Sequence, residues 1–150
     1  MSAPPLHVRD ATAQDAEAVA ALLAELGHPT RAEDVPARLA AVRAEGGLAL
    51  LAVDDDGRAF GFLSVAHHAV VHAAGPVALI TALVVTAAAR GRGVGRALVA
   101  AAREWAQRTG CVRITVTSAE HRADAHAFYP ACGMPYTGRR FTATLGGSDH

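Results

Sequence analysis

The sequence predicts an α/β fold, a mixed sheet with helices on both faces, from three observations. Strand-like apolar runs alternate along the chain with amphipathic runs of helical spacing. The run from Val77 to Val85 is apolar and rich in β-branched residues, which is typical of a central strand buried on both faces. A glycine-rich turn follows it directly and leads into an amphipathic helix from Val94 to Arg108.

Length, charge and cysteine content limit the class of protein. The chain has 150 residues, 51% of them hydrophobic, so we expect one domain over 1–150, ordered at 5–145 and flexible at 146–150. The formal net charge is 0, so nucleic-acid binding has no electrostatic support. There is no apolar run of membrane-spanning length and no signal-peptide pattern at the start. Cys111 and Cys132 lack metal-like spacing, which predicts reduced core thiols in a cytoplasmic protein.

The first strand and helix have clear boundary signals. Leu6–Arg9 alternates as a short strand does. Thr12 with Asp15 three residues later resembles a capping box at the start of a helix. Gly27 predicts the end of that helix.

A second helix is predicted at about 30–45, with its first residue left open. Thr30 is one candidate for the N-cap, and Asp34 is another because Pro36 would otherwise lie inside the helix. Gly46 and the glycine after it predict its end.

An antiparallel hairpin is predicted next, with strands at Leu48–Val53 and Ala59–Ala66. Asp54–Gly57 has the composition of a tight turn, with glycine at the left-handed position. Its three aspartates could suggest a calcium loop, but no further ligands follow at loop spacing, so we interpret it as a solvated turn.

The later elements follow from apolar spacing. In the helix after the glycine turn the predicted apolar stripe consists of Val94, Ala97, Leu98, Ala101 and Trp105. A half-buried strand is predicted at Val112–Thr117, a helix at 122–131 and a last strand at about 137–144.

The turn between Arg90 and Gly95 is the strongest functional signal in the chain. A glycine-rich turn at a helix N-terminus presents backbone N–H groups to an anion, and arginine adds bidentate phosphate contacts. A P-loop does not fit, since Arg96 and Ala97 stand where Lys and Ser or Thr are required. A dinucleotide fingerprint does not fit either, because Arg96 replaces its third glycine.

Two motifs resemble those of the GCN5-related N-acetyltransferase (GNAT) family. Arg90, Gly93 and Gly95 match the family's Arg/Gln-x-x-Gly-x-Gly/Ala pattern. Downstream, the run from Arg122 through Phe128 and Tyr129 to a glycine resembles the family's helix that ends in Phe-Tyr. The resemblance covers nearly the whole chain in the order of its elements and is weak before Leu48.

The resemblance implies acetyl-CoA as the cosubstrate and a GNAT-like domain whose sheet splays open at a cofactor cleft. The pantetheine arm would pair with the backbone of Val84 and Val85 in the gap, and the pyrophosphate would bind the N–H groups of the turn. The implied cofactor-binding residues are Leu83, Val84, Val85, Arg90, Gly91, Arg92, Gly93, Val94, Gly95, Arg96, Arg122, Ala125 and Phe128. No metal is implied.

By motif position Tyr129 resembles the family's general acid, and the N–H of Val84 or Val85 is a candidate oxyanion donor. Two residues depart from the family pattern. Thr81 replaces a glutamate that serves many relatives as the base, and Arg122 replaces an asparagine. Candidates for the base are His67, His68, His72 and Glu120, although an acceptor amine of low pKa would need none. We expect the three histidines to lie in a loop beside the active site rather than in a metal site.

The implied activity is N-acetylation of a small-molecule or peptide amine, and a homodimer is common in the family. The acceptor pocket is expected from residues 28–47, 67–76 and the last strand. Two alternatives stay open: a non-catalytic acyl-CoA-binding or regulatory domain of the same fold, and a nucleotide-binding switch. Fold alone does not name the acceptor.

Overall fold

The computed structural model describes residues 6–117, 123–138 and 141–146. The chain divides into two compact units, Met1–Val116 and Thr117–His150. In the first unit the strands are β1 (Leu6–Asp10), β2 (Leu48–Asp54), β3 (Ala59–His68), β4 (Val77–Val85) and β5 (Arg113–Val116), and the helices are α1 (Ala16–Leu26), α2 (Val35–Ala44) and α3 (Val94–Arg108). The second unit contains α4 (Ala123–Ala131).

The strands form one sheet in the order β1-β2-β3-β4-β5. Neighbouring strands from β1 to β4 are antiparallel, and β5 is parallel to β4. The predicted mixed sheet is therefore confirmed, and most of its strand pairs are antiparallel.

The starts of α1 and α2 follow the capping signals. The backbone N–H of Thr12 donates to Asp15 Oδ2 at 2.7 Å, and a 3-10 turn then leads into α1. Asp15 also accepts two hydrogen bonds from Arg9, which lower the pKa of its carboxyl group to about 2. At α2 the N-cap is Asp34, whereas the hydroxyl of Thr30 donates to the carbonyl of His28. Of the two candidates for the N-cap of α2, Asp34 is therefore correct and Thr30 is not.

Helices cover both faces of the sheet, as predicted. On one face α1 and α2 pack against β2, β3 and β4, and we call this the α1–α2 face; its buried residues include Val19, Leu22, Val35, Leu39, Leu51, Phe62 and Val84. On the opposite α3 face, a Cβ added to Gly61 would lie 2.8 Å from Val94 Cγ1 and 2.9 Å from Leu98 Cδ1. Glycine at 61 therefore lets the first turn of α3 approach the sheet.

A β-bulge at Thr81 reverses the alternation of β4. Ser64 pairs with Ala82, but the next residue of β3, Val65, pairs with Ile80, so Thr81 is an extra residue. Ala82 packs against the α1–α2 face, whereas Ile80 is buried outside that cluster. Thr81 itself is exposed. The prediction that this strand is buried on both faces is wrong at Thr81, because the bulge turns the residue out of the regular pleat.

The sheet opens between β4 and β5. Parallel pairing runs from Val77 with Arg113 to Ile80 with Val116, and β4 continues beyond it to Val85. Among the described residues, the far half of β4 thus has a partner only on its β3 side. This is the opening that the family resemblance implied.

The backbone of β4 shows which groups face the opening. The N–H of Thr86 donates to the carbonyl of Phe60 at 2.9 Å, so Thr86 faces β3. Because successive residues of a strand direct their backbone groups to opposite sides, Val85 and Leu83 face the opening and Val84 faces β3. A Cβ added to Gly61 of β3 would lie 3.1 Å from the carbonyl oxygen of Val84, which agrees with that carbonyl being directed towards β3.

The buried stripe of α3 differs from the predicted one. Ala97 is exposed and Trp105 is half-buried. The buried residues are Val94, Leu98, Val99, Ala102 and Ala106. Val94 and Leu98 were predicted correctly, whereas the other buried residues lie further around the helix than the predicted ones.

The C-terminal elements are shorter than expected. β5 begins at Arg113, and Val112 before it is 51% exposed. The described residues between 137 and 144 contain no strand, so the last predicted strand is wrong for them. Cys111 and Cys132 are half-buried thiols, which corrects the prediction of core thiols. The tail beyond Gly146 lies outside the described residues.

Candidate active site

The turn between β4 and α3 has the geometry of an anion cradle. Gly91 and Gly93 have φ angles of 84° and 78°, in the left-handed region that disfavours residues with a side chain. A Cβ at either glycine would meet no atom within 4 Å. The glycines are therefore needed for backbone conformation, and the space beside the turn is open.

The same turn presents unsatisfied donors. The first helical hydrogen bond of α3 runs from Ala97 N to Gly93 O at 3.0 Å. In the part of the chain that the structure describes, the N–H of Gly91 and those from Gly93 to Arg96 have no acceptor. They lie at the positive end of a 15-residue helix, and the side chains of Arg90 and Arg96 are exposed beside them. These groups fit a pyrophosphate.

Two residues that sequence reasoning missed hold the turn in place. The guanidinium of Arg92 lies 4.9 Å from the centre of the Phe60 ring, a cation–π contact. The carboxylate of Glu25 on α1 accepts hydrogen bonds from Thr86 Oγ1 at 2.9 Å and from Ala87 N at 3.3 Å. Glu25 has no local signal in the sequence, because its partners lie about 60 residues away.

A pair of hydroxyl groups lies at the bulge, where β4 loses its pairing with β5. Ser64 Oγ and Thr81 Oγ1 are 2.5 Å apart. Each hydroxyl also lines a cavity, and Val42 of α2 lines both cavities. Ser64 is the one hydroxyl in an otherwise apolar stretch of β3, which is the signal by which the sequence could have indicated it.

The first of these cavities is apolar. It has a volume of about 130 Å³ and lies between α1, α2 and the sheet. Leu23, Leu39 and Phe62 are among its lining residues, and its polar lining residues are Thr30, Arg38 and Ser64.

The second cavity is polar and larger, at about 280 Å³. Its lining residues that carry polar side chains are Glu45, His67, His68 and Thr81. His67 and His68 belong to β3, so the prediction that they lie in a loop is wrong: the strand pairs two residues further, as far as His68 with Val77. β3 extends to His68 because the first residues of β4, Val77 and Ala78, pair with His68 and His67.

The three histidines have different surroundings. The ring of His67 makes an edge contact with Trp105 at 5.9 Å between centroids. His72 Nε2 lies 3.1 Å from a guanidinium nitrogen of Arg113, away from the polar cavity. Of the four candidate bases, His68 lines the cavity with Thr81, whereas the ring of His67 is directed to α3 on the other face of the sheet. His72 does not line the cavity, and Glu120 lies outside the described residues. In the described parts of the chain, no three histidine, cysteine or acidic side chains are grouped as metal ligands.

The second motif belongs to the second unit. Phe128 and Tyr129 lie near the end of α4 with their rings at 5.2 Å in an edge arrangement, and both are half-buried. Gly133 follows with a φ angle of 82°. Arg122 lies outside the described residues, and the side chain of Ala125 does too.

An anion-binding turn at a helix N-terminus, directly after a strand with an open edge, defines a site for an extended phosphorylated cosubstrate. The model of the acetyltransferase (GNAT) family matches residues 16–134. The chain therefore belongs to the GNAT family, a class of acetyl-CoA-dependent N-acetyltransferases. None of its described helices combines the length and apolar character needed to cross a membrane.

Similar proteins agree with this assignment. The aminoglycoside N(6')-acetyltransferase type 1 of Stenotrophomonas maltophilia is 36% identical over 136 residues, 88% of each chain. Two solved structures share the fold. The aminoglycoside 6'-N-acetyltransferase AAC(6')-Ih of Acinetobacter baumannii has a TM-score of 0.79 at 22% identity and covers 95% of this chain and 100% of its own. The CoA complex of AAC(6')-Iy has a TM-score of 0.82 at 23% identity and covers 96% and 97%.

Proposed function

We propose that residues 1–150 work as one acetyltransferase domain in the cytoplasm, which moves an acetyl group from acetyl-CoA to a primary amine of a small molecule or peptide. The observation that carries this is the cradle formed by the N–H groups of Gly91 and of Gly93 to Arg96, which have no acceptor among the described residues and lie beside the open edge of β4. Both cysteines are half-buried thiols rather than partners in a disulfide, which suits a reducing compartment.

The cosubstrate residues follow from this geometry. The turn N–H groups bind the pyrophosphate, and Arg90 and Arg96 add charge to it. Leu83 and Val85, rather than the Val84 and Val85 that the family resemblance implied, provide the backbone groups that pair with the pantetheine arm. The reason is that Leu83 and Val85 face the opening of the sheet, whereas Val84 faces β3. Arg122, Ala125 and Phe128 keep the cofactor role that their motif implies.

Acetyl-CoA supplies the acetyl group as an activated thioester. The neutral amine attacks the thioester carbon, a C–N bond forms, and the C–S bond breaks with its electron pair going to sulfur. Tyr129 gives its phenolic proton to that sulfur, and the proton lost by the amine restores the phenol through solvent. The products are the N-acetyl amine and free CoA.

A non-catalytic acyl-CoA-binding domain is the second candidate, and Thr81 is the observation that favours it. A threonine cannot accept the amine proton as a glutamate does, and its hydroxyl is bonded to Ser64. Under this alternative the protein would bind acetyl-CoA and release no thiol with any amine.

Calorimetry with acetyl-CoA, followed by a thiol-release assay over amines, tests the proposal. We expect saturable binding and a melting temperature that rises with ligand concentration. The amine panel should include an aminoglycoside, because the curated relative is named for that reaction. The absence of heat and of a melting shift at millimolar acetyl-CoA would contradict the proposal. Stabilisation by ATP or GTP but not by CoA would indicate a nucleotide-binding switch instead.

A further inference from the structure

We infer that the acceptor is a primary amine with one compact apolar group, bound by the two cavities beside Ser64 and Thr81. The apolar group occupies the apolar cavity, and the amine lies in the polar cavity near Glu45 and His68. This inference rests on the proposed acetyl transfer and narrows its substrate class.

The position of Thr81 places these cavities next to the reacting group. A pantetheine arm that starts at the turn and pairs with Val85 and Leu83 runs back along β4 towards Thr81. Four extended residues span about 13 Å, so the far end of such an arm reaches the bulge. Thr81 is also the first residue of β4 beyond the paired segment. The polar cavity, which Thr81 lines, is therefore where an attacking amine would wait.

The apolar cavity sets the size of the substituent. Its volume of about 130 Å³ is close to that of an engineered apolar cavity that holds benzene, which is about 150 Å³. Leu23, Leu39 and Phe62 line it from both helices and the sheet. A group of roughly four to six carbons would fill it at that volume.

The charges that line the two cavities argue against a polycation. Among the described lining residues Glu45 is the one carboxylate, and Arg38 supplies an opposing positive charge. An aminoglycoside carries several ammonium groups, each of which needs an acceptor or solvent. A single ammonium next to Glu45 is matched by the charge present. Val42 lines both cavities, so the amine and its apolar tail would lie on either side of that residue.

A homologous series of alkylamines tests this, with the thiol-release assay as the readout. From ethylamine to pentylamine we expect kcat/KM to rise about three- to fourfold per methylene and then to level off when the cavity is full. Kanamycin should be a poorer acceptor than pentylamine. Ala82→Val adds two methyl groups at the wall of the apolar cavity, so the best amine should become about two carbons shorter.

Glu45→Gln tests the role of the polar cavity in binding the amine. Because Glu45 is exposed, the substitution should leave the fold intact. We expect KM for the amine to rise about fivefold, the size of an exposed ion pair, with KM for acetyl-CoA unchanged. Glu17→Gln is the matched control, because Glu17 is an exposed carboxylate of α1 that lines neither cavity. It should change neither constant.

The outcomes separate this inference from the proposed function. A flat dependence on chain length, a preference for kanamycin, or acetyl-CoA binding without turnover of any alkylamine overturns the inference alone. Failure to bind acetyl-CoA in calorimetry overturns the proposed function and the inference with it. A chain-length optimum that Ala82→Val shortens supports both.

Discussion

The anion-binding turn and the paired cavities are built in different ways. The turn at Gly91–Arg96 uses backbone N–H groups whose positions depend on two left-handed glycines. The cavities use side chains from α1, α2, β3 and β4 that meet only in the folded sheet. A backbone site is specified by local conformation, and a side-chain site is specified by packing. The first can tolerate changes of neighbouring side chains, whereas the second changes its ligand when one side chain changes.

The two regions are also connected. Glu25 extends from α1, a helix that borders the apolar cavity, to the residues that lead into the turn. The connection fixes the start of the turn relative to α1. The following predictions separate the two kinds of site, from the largest expected effect to the smallest.

Gly93→Val should abolish acetyl-CoA binding. A β-branched residue cannot hold a φ angle of 78° without strain, and its side chain would occupy the open space beside the turn. Calorimetry at millimolar acetyl-CoA should then detect no heat, while circular dichroism shows a folded domain. Gly57→Val is the matched control, because Gly57 has a φ angle of 83° and equally open surroundings in the β2–β3 turn. Normal binding by Gly93→Val would show that the turn is not the cosubstrate site.

Tyr129→Phe should lower kcat by about 10- to 10³-fold and leave KM for acetyl-CoA nearly unchanged. The substitution keeps the ring and removes the oxygen that protonates the departing sulfur. Steady-state kinetics and a melting curve measure both effects. Tyr136→Phe removes the same atom from a tyrosine that is 64% exposed and should have no effect. A normal kcat with a stability loss of about 1 kcal/mol would make Tyr129 a structural residue.

No single candidate base should be essential for turnover. We expect kcat within about tenfold of the wild type for each of four variants, in which His67, His68, His72 or Glu120 is replaced by Gln. None of them stands at the family's usual base position, and the structure divides the three histidines between different surroundings. His68→Gln should raise KM for the amine, since His68 lines the polar cavity. A loss of about 10² or more in kcat for any one of the four would identify it as the general base.

Asp15→Asn should destabilise the domain by about 1 kcal/mol at pH 7, and the difference should disappear in acid. The pKa of the Asp15 carboxyl is lowered to about 2 from the ordinary 3.8, chiefly by the hydrogen bonds from Arg9. A lowered folded-state pKa gives stability that is present above the unfolded pKa and is lost as the pH falls from about 4 to about 2. Urea unfolding of the wild type and of Asp15→Asn at pH 7 and at pH 2 measures the difference in the free energy of unfolding.

Asp56→Asn, in the exposed β2–β3 turn, is the control for that series. It should lose little stability at pH 7. An Asp15→Asn difference that persists at pH 2 would show that packing, rather than the ion pair with Arg9, accounts for the effect.

Much of the fold could be predicted because its signals are local. Capping by Thr12 and Asp15 and the glycine ends of α1 and α2 depend on residues within one helical turn. The errors arose where distant contacts decide. The side of α3 that is buried depends on how the helix packs against the sheet, and the length of β3 depends on its pairing with β4.

By itself the sequence determined the GNAT family and the turn between β4 and α3, because glycines at 91 and 93 permit the left-handed backbone conformation that the turn has. Only the tertiary structure decided what surrounds Thr81. The bulge sets Thr81 against Ser64, and the packing of α2 brings Glu45 to the same cavity as His68. Those residues lie far apart in the chain, and their proximity depends on strand register, which a single sequence does not encode locally.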